Sequence, residues 1–159
     1  MKPCLSLLAI GLALCWTPGC GQSLAPDDAV GAVPLTRLTS EPHAFSVFSA
    51  VDQPQRLAVR DAGTLAKLWP AWWSTMSHPP PIPDVDFSRE MLVVAALGAK
   101  PSSGFDVVLD SASARGDHLT VYVRTTSPPP GSAVLTVITR PIDIARVRRT
   151  SGAVLFQDL

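Results

Sequence analysis

The sequence predicts an α+β domain: a mainly antiparallel, strongly curved sheet or partial barrel of about seven or eight strands, with one kinked helical segment packed on it. Three observations lead there. Apolar residues recur with period two in several short runs, of which Leu119-Thr120-Val121-Tyr122-Val123-Arg124 is the cleanest. A single stretch, Leu65 to Met76, has the spacing of an amphipathic helix. The strand-like runs follow one another through short connections instead of alternating with helices, which suits antiparallel neighbours.

The amino end comes first. Lys2 precedes an apolar run from Leu5 to Trp16 and then Thr17-Pro18-Gly19-Cys20. A basic start, a short apolar segment and a small residue before the cut describe a secretory signal, too short to span a bilayer as a permanent helix. The Gly19-Cys20 junction resembles a bacterial lipobox, with Thr17 where that motif usually carries Leu, and implies acylation of Cys20. The cysteines agree: of Cys4, Cys15 and Cys20, only Cys20 remains after such a cut, so no disulfide framework, CxxC pair or zinc cluster is available. Residues 1–19 are therefore expected to be a signal peptide. Residues 20–42, rich in small residues, polar residues and proline, are expected to be a lipidated N-terminus and flexible tether, and 43–159 the folded domain. The expected location is the bacterial cell envelope, on the periplasmic face of the outer membrane or the cell surface.

Charge narrows the partners. Lys and Arg total 13 against 13 Asp and Glu, and Lys2 is the one charged residue in the expected signal. A chain without net positive charge is not built to grip nucleic acid through phosphates.

Along the domain, Phe45, Val47 and Ser49 alternate with Ala44, Ser46 and Phe48, and Arg56 to Arg60 follow a turn, which predicts two short strands. Asp61 is placed to cap a helix whose stripe is Leu65, Leu68, Trp69, Trp72, Trp73 and Met76. Pro70 lacks the amide that would bond to Ala66, which predicts a kink or two short helices. The tryptophans read as an aromatic platform or as packing against a sheet, and helical spacing favours packing. His78-Pro79-Pro80-Pro81-Ile82-Pro83 ends the helix in an extended run. Met91 to Leu97 is apolar on both faces, the mark of a covered central strand. Phe105 to Asp110 re-enters the sheet and Ser111 to Asp117 reads as a polar turn. Ala133 to Thr139, Ile142 to Val147 and Ala153 to Phe156 complete the strands, with Pro141 at a strand end or bulge.

Catalytic patterns are sparse. Ser102 and Ser103 are exposed turn residues beside Pro101 and Gly104, outside any G-x-S-x-G or S-x-x-K arrangement. His43, His78 and His118 lack ligand spacing, Asp84 and Asp86 read as solvated strand-entry residues, and no metal or cofactor is expected. Arg140, Arg146, Arg148 and Arg149 form a candidate basic patch, either for an acidic partner or lipid headgroups or as protection of a sheet edge.

One stretch is more distinctive. In Gly98-Ala99-Lys100-Pro101-Ser102-Ser103-Gly104-Phe105, two glycines and a proline would hold a rigid tip between two apolar strands. The stretch resembles the G-x-[KR]-P-[ST]-G-G-[YF] turn of the PrcB-like family, the C-terminal domain of a protease complex subunit, with Ser103 where that family usually has glycine. Leu68-Trp69, Asp86-Phe87-Ser88, Pro130-Gly131 and Thr139-Arg140-Pro141 fall in the matching order, so the resemblance covers roughly residues 56–158. It implies an exported, often lipid-anchored, mainly β domain without catalytic residues, associated with a protease complex or other envelope proteins. Gly98, Lys100, Pro101, Ser102, Ser103, Gly104 and Phe105 are the candidate binding turn. The expected function is a noncatalytic envelope lipoprotein that binds a protein partner, a protease or peptide segment. The alternatives are a small-molecule or lipid binder with the helix as lid, and a hydrolase.

Overall fold

The computed structural model describes residues 30–39 and 48–159. The expected signal, Cys20, His43 and most of the 45–49 strand lie outside the described residues. Among the described residues eight strands and one helix follow in order: β1 Gly31–Val33, β2 Thr36–Arg37, β3 Pro54–Val59, α1 Ala62–Trp72, β4 Glu90–Leu97, β5 Asp106–Arg115, β6 His118–Thr126, β7 Ile142–Arg148 and β8 Val154–Asp158. They form two four-stranded sheets, ordered β1-β5-β6-β8 and β2-β7-β4-β3, where one curved sheet was expected; neither closes into a barrel. Period two tells which face of a strand is buried, but not which sheet the strand joins.

β4 explains the layering. Met91, Val93 and Ala95 pack between the sheets with Val107, Leu109, Leu119, Val121 and Val123. Leu92, Val94 and Ala96 face the other way, onto Val59, Ile142, Ile144 and the tryptophans. A strand apolar on both faces thus sits in the middle of sheet, sheet and helix, and each large apolar side chain so covered contributes about 1.5–3 kcal/mol.

α1 begins at Asp61, whose carboxylate accepts the Thr64 N–H at 2.8 Å. Pro70 lies in its last turn, so the bond to the Ala66 carbonyl is lost but little helix remains beyond it to bend; one helix, not two, spans Ala62–Trp72. Trp73 and Met76, expected on the helical stripe, lie beyond the helix yet still pack on the same core. Trp69 meets Trp72 and Trp73 edge-on at 6.2 and 5.7 Å, and its Nε1 donates to the Pro80 carbonyl at 2.9 Å, pinning the proline run. The tryptophans are core, not platform.

Four other expectations change. β5 runs on to Arg115 through the segment read as a turn, because the register slips between Leu109 and Ser111. Asp110 is the extra residue of a bulge, so the inward positions pass from Val107 and Leu109 to Ala112 and Ala114, and a strict period of two breaks at that point. β8 pairs parallel to β6, which its arrival from the other sheet allows. Gly31 to Arg37, within the expected tether, instead pairs antiparallel with β5 through β1 and with β7 through β2, crossing from one sheet to the other. Last, Ala133 to Ile138 is exposed and belongs to no strand, while Thr139, buried, bridges to Lys100.

Between the layers lies a fully buried carboxylate, Asp143. It accepts the Arg37 Nε–H at 2.8 Å, the Leu109 N–H at 2.7 Å, the Ile144 N–H at 3.1 Å and the Thr39 hydroxyl. Four donors offset the cost of burying the charge.

Candidate functional site

The turn after β4 and the Ala133–Thr139 run form one unit. Gly98 leaves β4 at φ 72°, and a Cβ there would lie 2.7 Å from the Asp52 carbonyl oxygen, so only glycine fits. Ala99 donates its N–H to that same oxygen at 3.0 Å. Lys100 and Thr139 then exchange N–H···O bonds at 2.8 and 3.0 Å, continuing the β4–β7 ladder past Pro141. The Ser103 N–H donates to the Leu135 carbonyl at 3.0 Å, the Ser103 hydroxyl accepts the Leu135 N–H at 3.0 Å, and the Thr139 hydroxyl donates to the Ser102 carbonyl at 2.9 Å. Gly104, at φ 91°, closes the turn against Pro128. Lys100 Nζ stands 5.7 Å from the centre of the Phe105 ring, close enough for a cation–π contact.

This unit presents apolar surface. Phe48, Phe105, Leu135 and Val137, with Ser103, Gly104, Thr136 and Thr139, line a groove of about 600 Å³. Leu135 is 72% exposed, Ile138 60% and Phe48 52%. From Thr125 to Thr139 there is no charged residue. Scattered exposed apolar residues are ordinary; here they gather along one side of the turn. The sequence shows this run as apolar; nothing in its alternation distinguishes an exposed run from a buried strand.

The arginines do not assemble into one patch. Arg140, at the groove, pairs with Asp52 at 2.6 Å. Arg146 donates to the Asp84 carbonyl at 2.7 Å and lies 3.4 Å from the Glu90 carboxylate. Arg149 donates to the carbonyls of Arg60 and Phe87, both at 2.7 Å. Arg148 is exposed at the end of β7, opposite Glu90 in register. Three of the four thus brace neighbouring chain, and they divide between the two ends of β7.

Other chemistry is not gathered. Ser103 is occupied by Leu135, Ser102 donates to the Ser103 carbonyl, and the one side-chain bond of His78 is to Ser77. Among the described residues no group of three or more His, Cys, Asp or Glu could hold a metal. The Ser88 hydroxyl and then its N–H, at 2.5 and 3.0 Å, hold the Asp86 carboxyl below its usual range and occupy it within its own turn. Where a helix lid would enclose a ligand, the tryptophans fill the space; a pocket of about 280 Å³ remains beside Leu38, Trp69, Trp73 and the proline run. No helix among the described residues is long and apolar enough to cross a membrane.

One span, from β4 through the turn, β5, β6 and the exposed run to the end of β7, is similar to a known family. Residues 91–148 match the PrcB C-terminal family. No curated protein and no solved structure matches the chain. The PrcB C-terminal match contains the whole Gly98–Phe105 turn, its partner Ala133–Thr139 and Asp143. It leaves outside the tryptophan helix, Asp86-Phe87-Ser88 and β8, so it is narrower than the stretch over which the sequence resembles PrcB-like proteins. Within the PrcB C-terminal segment, the recognisable turn and the exposed apolar run are thus two sides of one groove.

Proposed function

We propose that this chain is a noncatalytic, protease-complex-associated subunit that binds a partner protein, a protease or a peptide segment of one, through the groove between the Gly98–Phe105 turn and Ala133–Thr139. The observation that carries this reading is the uncharged, exposed run of Val134, Leu135, Val137 and Ile138 hydrogen-bonded to the family's own turn. Leaving such side chains in water has no benefit to the free fold, and covering them on binding is favourable at about 25 cal/mol per Å². The PrcB C-terminal match supports association with a protease complex.

Crosslinking in the cell envelope followed by capture tests it. Wild type is compared with Lys100→Glu/Ser102→Arg and with Leu135→Asp, and both variants should lose the same specific partners. An unchanged set of partners in both would refute the groove. We further propose that the protein is exported and held at a membrane by a lipid on Cys20. Cys20→Ser should then release it into the soluble fraction; continued sedimentation with membranes would sink that assignment.

A further inference from the structure

We propose that the end of β7 farther from the groove carries a binding site for a phosphate group, held by Arg89, Arg148 and the Thr36 hydroxyl.

The strand register assembles the site. Thr36 on β2 lies opposite Arg146 on β7, and Glu90 at the start of β4 lies opposite Arg148. Paired residues share a face and alternate residues return to it, so Thr36, Glu90, Arg146 and Arg148 stand on one side of the sheet. Arg89 joins them from the turn before β4. Its N–H donates to the Asp86 carbonyl at 3.0 Å and its carbonyl accepts the Arg149 N–H at 2.8 Å, so its backbone is fixed beside the end of β7. With Asp86, these residues line a hollow of about 480 Å³.

The groups in the hollow are not equally committed. Arg146 donates to the Asp84 carbonyl at 2.7 Å and stands 3.4 Å from the Glu90 carboxylate. Asp86 accepts the Ser88 hydroxyl and N–H. The side chains of Arg89 and Arg148 and the Thr36 hydroxyl make no hydrogen bond or ion pair among the described residues. Two guanidiniums and a hydroxyl, from three separate segments, are therefore the donors left over.

Their arrangement selects the ligand. A carboxylate offers two oxygens in one plane, whereas a phosphate offers oxygens in three directions and more charge, so it can meet donors on three sides at once. Three arginines against Asp86 and Glu90 leave the hollow a small positive excess, which favours an anion and limits the affinity.

The test uses the isotope-labelled full chain, inorganic phosphate and amide NMR. The amides of Thr36, Arg89 and Arg148 should shift together, with half-saturation at about 10 mM phosphate or below. Arg89 and Arg148 are exposed and unpaired, so Arg89→Gln and Arg148→Gln should unfold at the wild-type temperature, and each should bind about fivefold more weakly. Asp86→Asn keeps an acceptor for Ser88 and should bind about twofold more tightly. Acetate at the same ionic strength should bind about tenfold more weakly than phosphate. Dihexanoyl phosphatidylglycerol, below its micelle concentration, identifies the source. Tighter binding than inorganic phosphate at the same amides assigns the site to a lipid headgroup; equal or weaker binding assigns it to free phosphate. No shift of these amides at about 50 mM phosphate overturns the proposal, as does acetate binding as tightly as phosphate, or wild-type affinity in both arginine variants. An equal loss on Arg124→Gln, which lies on β6 in the other sheet, overturns it too, because the attraction would then be to charge in general.

Discussion

Asp143 on β7 accepts the backbone N–H of Leu109 on β5, in the opposite sheet, at 2.7 Å. This bond crosses the sandwich beside the Arg37 and Thr39 donors to the same carboxylate. Removing the carboxylate orphans a buried amide and takes from Arg37 one of its partners. Asp143→Ala is expected to cost about 3 kcal/mol, at the low end of the range for broken buried pairs because Arg37 reaches water. Asp143→Asn, which keeps an acceptor, should cost less. Urea unfolding followed by tryptophan fluorescence measures both.

The same carboxylate ties down the segment ahead of the core. Arg37 and Thr39 are two of its four donors, and β2 holds them in register opposite Ala145 and Arg146. A chain starting at Val30 keeps β1, β2 and both donors. A chain starting at Ser40 loses β1, β2 and both donors, and should fall at least as far as Asp143→Ala. Equal melting temperatures for the two truncations would mean that β1 and β2 contribute nothing.

The two glycines of the turn should differ. At Gly98 a new Cβ meets backbone of Asp52 and Pro54, which cannot move without breaking the Ala99 bond to Asp52. At Gly104 it meets the Pro128 side chain at 3.0 Å, outside any strand or helix. Gly98→Ala is expected to lose about 3 kcal/mol and Gly104→Ala about 1 kcal/mol, the cost of the left-handed backbone alone. Thermal unfolding of the pair distinguishes them.

Acid should loosen the helix start. The N–H and hydroxyl of Thr64 hold the Asp61 carboxyl below its ordinary value of 3.8. A depressed folded-state value means that the cap's contribution is complete above 3.8 and disappears as pH falls through the lower folded value. Asp61→Asn keeps a capping oxygen but does not titrate. Between about pH 4 and pH 2 its melting temperature should fall less than that of wild type. Asp86 and Asp110 are lowered too, Asp86 chiefly by the Ser88 hydroxyl and Asp110 chiefly by Arg124, so a residual acid dependence should persist in the variant.

Which parts were legible follows from what alternation can encode. Met91–Ala96 declared two buried faces, and the fold supplies a cover for each. The helical spacing of the tryptophans correctly indicated packing. Alternation failed at Asp110, where one inserted residue switches the parity of β5, and at β1 and β2, too short to show a period at all. Asp143 carried a signal that went unused: an acid between Ile142 and Ile144 in an apolar strand requires buried donors. Those donors, Arg37 and Thr39, lie over a hundred residues away in a stretch whose composition resembles a linker. At the candidate site, Gly98-Phe105 was recognisable because its glycines meet a local demand of the backbone. Its union with Ala133–Thr139 was not, because hydrophobicity alone does not show that a run stays outside the core.

β5 joins the two ends of the molecule. It starts at Asp106, beside the groove, and its far end, Ala112–Ala114, pairs with β1. At about 3.3 Å per residue these points are roughly 25 Å apart along a single strand. The described residues thus have a polarity: Gly31 stands at one pole and the apolar groove opens at the other. Anything that grips the protein at Gly31 would leave the groove a strand's length away.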